Sequence, residues 1–240
     1  MNRDASRAWT AELYRRFLPG EPDAYAAFLG LAASLCPPGG RVIDLGCGGE
    51  GYLSCLMERA GEVVGIDHRQ MRGPYHSYLQ ADLDRVVPVD EESVDLAACK
   101  FLVEHLQDPA TFLRQVRAAL RPGGHLVIMT PNILYYPYAI NFALSRLLMQ
   151  ERRMRIVGLF SGRQQADIFP VHYRCNTPRR LRNHLEGAGY RVVHLGTYSD
   201  YAASAVCRPL GALAVAYEIA AQRTRAVNAK GFIVAAAVRR

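Results

Sequence analysis

The sequence predicts an α/β protein built on a parallel, doubly wound sheet. Short β-branched runs alternate with stretches whose apolar residues recur at helical spacing. The first such run, "RVIDLG", feeds a turn dense in glycine, "GCGGEG", of the kind that joins a strand to a helix beside a ligand. No linker, internal repeat or low-complexity tract divides the 240 residues, so one domain is expected over 1–240. Half the residues are hydrophobic and 21% are charged, which is globular composition and excludes a disordered chain.

The elements follow in order. Residues 22–36 place apolar side chains at helical spacing and stop at Pro37-Pro38-Gly39-Gly40. "RVIDLG" is the first strand, "YLSCLMERAG" a helix closed by Gly61, and "EVVGID" the second strand. "YLQADL" is a weaker third strand and "SVDLAACKFL" a buried fourth. "PATFLRQVRAALRPGG" has proline in its first turn, an apolar stripe and a glycine stop, which predicts a helix. "HLVIMTPN" is the fifth strand. Residues 131–176 lose the alternation and are rich in aromatics, which predicts a cap over an acceptor pocket. Thr177 and Pro178 then open a helix as N-cap and N1, a strand follows, and "LGALAVAYEIAAQR" and "GFIVAAAVRR" supply a last helix and strand.

"MNRDASRAWT" has charge but no apolar stretch behind it, so no secretory leader is expected. The most apolar long window is broken by Arg208, Pro209 and Glu218, which predicts a buried helix and a soluble, cytoplasmic protein. The six cysteines show neither a CxxC pair nor zinc spacing, so neither a disulfide framework nor a structural metal is expected. From residue 151 onward fifteen Lys or Arg face five Asp or Glu. That balance invites nucleic acid or an anionic membrane, or describes a solvated arginine-rich surface.

Gly46, Gly48 and Gly51 satisfy the G-x-G-x-x-G spacing, which alone does not choose a ligand. Asp44 at the strand end and Glu50 within the turn choose better. A pyrophosphate at this turn would meet two carboxylates, whereas a ligand with a cationic end and no phosphate is attracted by them. S-adenosylmethionine, with its ammonium and sulfonium, is such a ligand. Asp67 ends the second strand twenty-three residues after Asp44, where a carboxylate accepts ribose hydroxyls. Asp82 follows the third strand, where it accepts an adenine amino group while the Leu83 amide meets a ring nitrogen. Each acid alone has the ordinary alternative of capping a turn; three at successive strand ends make a series.

"VIDLGCGGEG", "VVGID", "QADL", "VDLAACKFLVEHLQDP" and "LRPGGHLVIMTPN", in this order, resemble the class I S-adenosylmethionine-dependent methyltransferases, of the small-molecule type related to the ubiquinone-biosynthesis O-methyltransferases. The resemblance covers residues 40–132 and runs more loosely to the C-terminus. It implies a Rossmann-like, seven-stranded mixed sheet with an antiparallel C-terminal strand and helices on both faces. It implies S-adenosyl-L-methionine as cofactor, its methionine end held by Asp44, Gly46, Cys47 and Gly48. Asp67 then takes the ribose with His68 beside it, Asp82 and Leu83 take adenine, and Lys100 and Phe101 meet the methionine moiety. The chain departs from the family at Glu50, where a third loop glycine is common and Gly51 is displaced by one.

Within "FLVEHLQDP", His105 is the candidate base for taking an acceptor's proton, because histidine titrates near neutrality; alternatively Glu104 and His105 order the turn. His172 and Tyr173, in "FPVHYRCNTP", are further catalytic candidates. Some relatives in the ubiquinone pathway carry one more glutamate three residues before the Glu-His pair and hold a divalent cation there. Here that place is Phe101, and the loss of a hard oxygen ligand predicts no metal requirement. Tyr135, Tyr136 and Tyr138 are expected to roof the pocket or to pack as core. The basic end of this insertion, with Arg152, Arg153 and Arg155, reads as a lid or as a helix on an anionic surface. The function implied is methyl transfer to a small-molecule acceptor, most often at oxygen. The alternatives are a nucleic-acid methyltransferase, which lacks an RNA-binding module and an Asn/Asp-Pro-Pro-Tyr/Phe motif here, and a non-catalytic binding module on the same fold, which would need none of the acids.

Overall fold

A computed structural model describes residues 3–20, 23–147, 170–200, 205, 207–224 and 226–240. Its centre is a seven-stranded sheet in the order β3-β2-β1-β4-β5-β7-β6. The strands are β1 (Arg41–Leu45), β2 (Glu62–Asp67), β3 (Ser77–Gln80), β4 (Val94–Lys100), β5 (Leu120–Pro131), β6 (Tyr190–Tyr198) and β7 (Phe232–Arg239). The first five pair in parallel, and the C-terminal strands make the sheet mixed, with β7 inserted antiparallel between β5 and β6. Central strands are buried on both faces, which is why β1, β4 and β7 read as near-continuous apolar runs. The edge strand β3 is short and only half-buried.

The helices are α1 (Arg3–Phe17), α2 (Ala24–Leu35), α3 (Pro109–Ala119), α4 (Tyr136–Leu147), α5 (Pro178–Gly187) and α6 (Arg208–Arg223). Asp108 caps α3 by accepting from the amides of Ala110 and Thr111, and Phe112, Leu113, Val116 and Ala119 bury one stripe of it. Thr177 caps α5 by accepting from the Arg180 amide, and Leu181 and Leu185 face the same core.

Four of the expected elements differ from expectation, and one helix is additional. Tyr52–Leu56 is a 3₁₀ turn and not a helix through Gly61, and its N-cap residue Gly51 brings no side chain to satisfy the first amides. The third strand stops at Gln80, before Asp82, and the fourth at Lys100, before Phe101. The helix from Pro109 ends at Ala119, and Leu120–Gly124 already belongs to β5, with a register shift against β4. The glycines there allow an irregular entry into the strand, where helical extension was expected. The helix α1 has no counterpart in the sequence reading. Parallel strands ordinarily need a helical crossover, yet residues 68–76 and 81–93 cross without one.

The chain groups into two compact units. Ala24–Thr130, Val171–Gly196 and Ile233–Arg240 carry the body of the sheet with α2, α3 and α5. Met1–Asp23, Pro131–Pro170 and Thr197–Phe232 form the other. In that unit α1 packs on α6 so closely that Thr10 lies against Gly211, where a Cβ would stand 2.1 Å from Oγ1. Tyr14, Leu18 and Val215 form its small core. Tyr135 there is fully buried and donates to the Asp200 carbonyl at 2.9 Å, while the Tyr138 hydroxyl donates to the Asp200 carboxylate at 2.5 Å. Tyr136 and Tyr217 complete that aromatic cluster. Arg152, Arg153 and Arg155 lie outside the described residues. Among the described residues no helix is long and apolar enough to cross a membrane.

Candidate active site

Parallel pairing aligns the C-terminal ends of β1, β2 and β4, so Asp44, Asp67 and Lys100 emerge at one edge of the sheet. The glycine loop leaves from the same edge. Gly48 has φ +52°, a left-handed conformation that glycine adopts without strain, and no atom lies within 4 Å of where its Cβ would be. The loop backbone is therefore open to a ligand at that point.

Asp44 is 4% exposed. The Tyr75 hydroxyl donates to its Oδ2 at 2.6 Å and itself accepts from the Leu53 amide at 2.9 Å. Burial raises the Asp44 carboxyl to about 6, against the Tyr75 hydrogen bond and the Lys100 charge that lower it, while Asp67 adds to the rise. A second tyrosine supports the first: the Tyr78 ring stacks on Tyr75 at 5.6 Å, and the Tyr75 amide donates to the Tyr78 hydroxyl. Tyr78 has room because β2 carries glycine opposite it. A Cβ on Gly65 would stand 2.8 Å from the Tyr78 ring and 2.9 Å from the Cys47 sulfur. Burial pushes the Cys47 thiol up to about 12, so it is a packed, protonated group.

Asp67 is buried as well. Its Oδ2 accepts from the Gly48 amide at 3.1 Å and its Oδ1 from the Arg69 amide at 3.1 Å, with His68 Nδ1 3.0 Å away. The carboxylate thus ties the glycine loop to the end of β2. Asp82 is mostly exposed, accepts from the Asp84 amide at 3.1 Å and faces Arg85 at 3.2 Å; Leu83 sends its side chain into the core.

Lys100 ends in a box of rings formed by Tyr25, Tyr52 and Phe101. Phe101 holds φ +56°, a left-handed backbone that is costly for an aromatic residue and clusters at functional sites. Three residues on, Glu104 is buried, and its carboxylate accepts from the Thr130 hydroxyl at 3.0 Å. Thr130 in turn accepts from Asn176 at 2.6 Å. The Glu104 carbonyl accepts from the amides of His172, at 2.7 Å, and Tyr173, at 3.2 Å. His105 is the next residue and its amide closes the turn onto the Leu102 carbonyl. The backbone of the adjacent pair His172 and Tyr173 is therefore tied to the residue that precedes His105. Tyr173 is buried and left-handed at φ 50°.

Sequence reading did not find Tyr75, Tyr78, Tyr52, Tyr25, Thr130 or Asn176. The stretch from Asp67 to Ser77 is short and has no helix, which leaves Tyr75 and Tyr78 to cover that part of the sheet; no sequence signal points to the other four. Among the described residues no group of three or more His, Cys, Asp or Glu is placed to hold a metal ion.

Comparison with known proteins identifies the family. A methyltransferase-domain family model matches residues 14–195. The ubiquinone biosynthesis O-methyltransferase of Aeromonas salmonicida is 35% identical over 106 residues, 39% of this chain and 44% of that protein. That of Hahella chejuensis is 33% identical over 140 residues, 53% of this chain and 58% of that protein. The chain thus spans about half the length of the curated relatives it matches. An S-adenosylmethionine-dependent methyltransferase from Mesorhizobium loti shares the fold at a TM-score of 0.59 and 22% identity, covering 90% of this chain and 98% of that one. Geranyl diphosphate C-methyltransferase from Streptomyces coelicolor, solved with S-adenosyl-L-homocysteine, shares it at 0.56 and 15%, covering 90% and 78%. The glycine loop, the acids at the strand ends and the family match over most of the chain lead to one assignment: this protein belongs to the methyltransferase-domain family, in its class I S-adenosylmethionine-dependent form.

Proposed function

We propose that the protein transfers a methyl group from S-adenosylmethionine to an oxygen of a small-molecule acceptor in a biosynthetic pathway. The observation that carries this reading is the buried Asp44 carboxylate beside an open glycine loop, with a cation held on ring faces at the same edge. That edge suits a ligand with positive charge and no phosphate. The cofactor supplies a methyl carbon on a cationic sulfur. Asp44, Gly46, Cys47 and Gly48 hold its methionine end, with Lys100 and Phe101 alongside. Asp67 takes the ribose beside His68, exchanging its Gly48 and Arg69 amides for hydroxyl donors. Asp82 and the Leu83 amide take adenine.

His105 removes the acceptor's proton, and His172 and Tyr173 line the acceptor side of the same turn. Holding acceptor and methyl carbon in line supplies ~7–11 kcal/mol of the barrier, so a moderate base suffices. Phe101 occupies the place of the further glutamate that some relatives carry before the Glu-His pair, and the loss of that oxygen ligand supports a metal-independent transfer. The match to ubiquinone biosynthesis O-methyltransferases supports an oxygen acceptor.

The test is a screen of hydroxylated small molecules, RNA and protein with methyl-labelled S-adenosylmethionine, run with and without EDTA. Label should enter a small hydroxylated acceptor at the same rate in both. Label in RNA alone, or transfer abolished by EDTA and restored by magnesium, would overturn the acceptor or the metal part respectively.

A further inference from the structure

Lys100 occupies its aromatic box unusually fully. Its ammonium nitrogen lies 2.9 Å from the centroid of the Tyr52 ring, 5.0 Å from that of Phe101 and 5.2 Å from that of Tyr25. Tyr25 meets the other two rings at 6.2 Å each, edge-on against Phe101. Helix α2, the 3₁₀ turn and the end of β4 thus each contribute one face to a single cation. Only 9% of the lysine side chain is exposed, while its carboxylate neighbour Glu50, 3.8 Å away, is 68% exposed. Lys100 therefore keeps Glu50 as a counter-ion at 3.8 Å on the exposed side while its ammonium lies against the ring faces.

Ring faces attract any cation, and a cation clothed in carbon sheds water at less cost than an ammonium does, so the same box suits a sulfonium better than its present occupant. Parallel pairing sets Asp44 opposite Ala98, two residues before Lys100, which places the box beside the acid at the head of the glycine loop.

We infer that the Tyr25–Tyr52–Phe101 box seats the cofactor's sulfonium, and that Lys100 is a resident cation which fills the box until the cofactor enters and then withdraws toward Glu50. This rests on the cofactor assignment made above. It gives Glu50, the departure from the usual loop glycine, a role as the receiving carboxylate. It also makes the box a reader of charge. After transfer the sulfur is neutral, the ring faces hold it weakly, and Lys100 returns to its place, favouring release of the demethylated product.

Calorimetry on the full chain at pH 8 tests this with three probes: S-adenosylmethionine, S-adenosylhomocysteine, and sinefungin, which carries an amine cation where the sulfonium stands. Tyr52→Leu should weaken the two cationic probes about tenfold and S-adenosylhomocysteine less than about twofold. Lys100→Met should tighten S-adenosylmethionine by about threefold or more, because nothing has to be displaced. Retained binding of S-adenosylhomocysteine shows that each variant is folded. Equal loss of all three probes in Tyr52→Leu would make the box a packing wall and overturn the inference, as would weaker S-adenosylmethionine binding in Lys100→Met. If the unaltered protein binds none of the three, the cofactor assignment itself falls, a result distinct from an unchanged preference between charged and neutral probes.

Discussion

On the β4–β5 side the sheet is backed by α3 and α5, two helices that begin on side-chain caps and bury apolar stripes in a common core. On the β1–β2–β3 side the chain crosses between strands through a 3₁₀ turn without a side-chain cap and two stretches with no helix. The first side holds itself together by burial. The second depends on polar ties at its open edge, such as Gly48 to Asp67 and Tyr75 to Asp44, and polar ties around buried carboxylates are the ones a ligand can exchange. The difference teaches that the cofactor-facing half is assembled from the interactions the cofactor is proposed to use, while the other half supplies rigidity.

Substitutions can break or sharpen that contrast. The largest effect is expected at the seam, where β4 hands over to the turn bearing His105. With His105 as the base, His105→Ala lowers kcat by roughly 10²–10⁴ and leaves cofactor affinity alone. If the thermal melt falls and affinity falls with it, His105 is a strut of the turn.

A pH series probes the open half next. The Asp44 carboxyl titrates at about 6 in the folded protein against an ordinary 3.8, so between those values the folded chain keeps a proton that the unfolded chain has released. Its contribution to stability is full below about 4 and is lost as pH rises through about 6. Cofactor affinity runs the other way, since a cation beside Asp44 favours the ionised form. It should rise by up to about tenfold per pH unit and level off above about 6. Asp44→Asn should flatten both dependences; a wild-type binding curve flat from pH 5 to 8 would remove Asp44 from the cofactor site.

The smallest effect belongs to the capped half. Thr177→Ala removes the α5 cap and should cost about 1 kcal/mol of stability, read by denaturant titration, with cofactor affinity unchanged. A parallel loss of affinity would show that the two halves are not energetically separate.

Sequence patterning revealed the capped half more completely than the open one. Thr177-Pro178 and Asp108-Pro109 are local signals that act where they are written, and buried parallel strands announce themselves as apolar runs. Asp44 and Asp67 were legible because the apolar runs of β1 and β2 end at them, whereas the ends of β3 and β4 were not. The helix α1 was missed because its buried face is made partly of Ser6 and Thr10, which carry no apolar period. The tyrosines were missed for another reason. Tyr75 reaches Asp44 across thirty-one positions and Tyr25 reaches Lys100 across the sheet edge, and such partners are chosen by the folded geometry, leaving no spacing to read. The expected helix after the glycine loop failed because nothing caps it and Pro74 crowds the turn at Gly51.

Gly65 sits mid-strand in β2, two residues before Asp67, and carries no side chain to touch a cofactor, and yet its history is bound to the groups that would. Any side chain there must evict Tyr78 or the Cys47 sulfur; Tyr78 supports Tyr75, and Tyr75 holds Asp44. The glycine and the two tyrosines are therefore one heritable unit. A descendant sequence can abandon the glycine only after it has found another way to hold the acid, so the order in which these positions change is constrained, and Gly65 must be among the last.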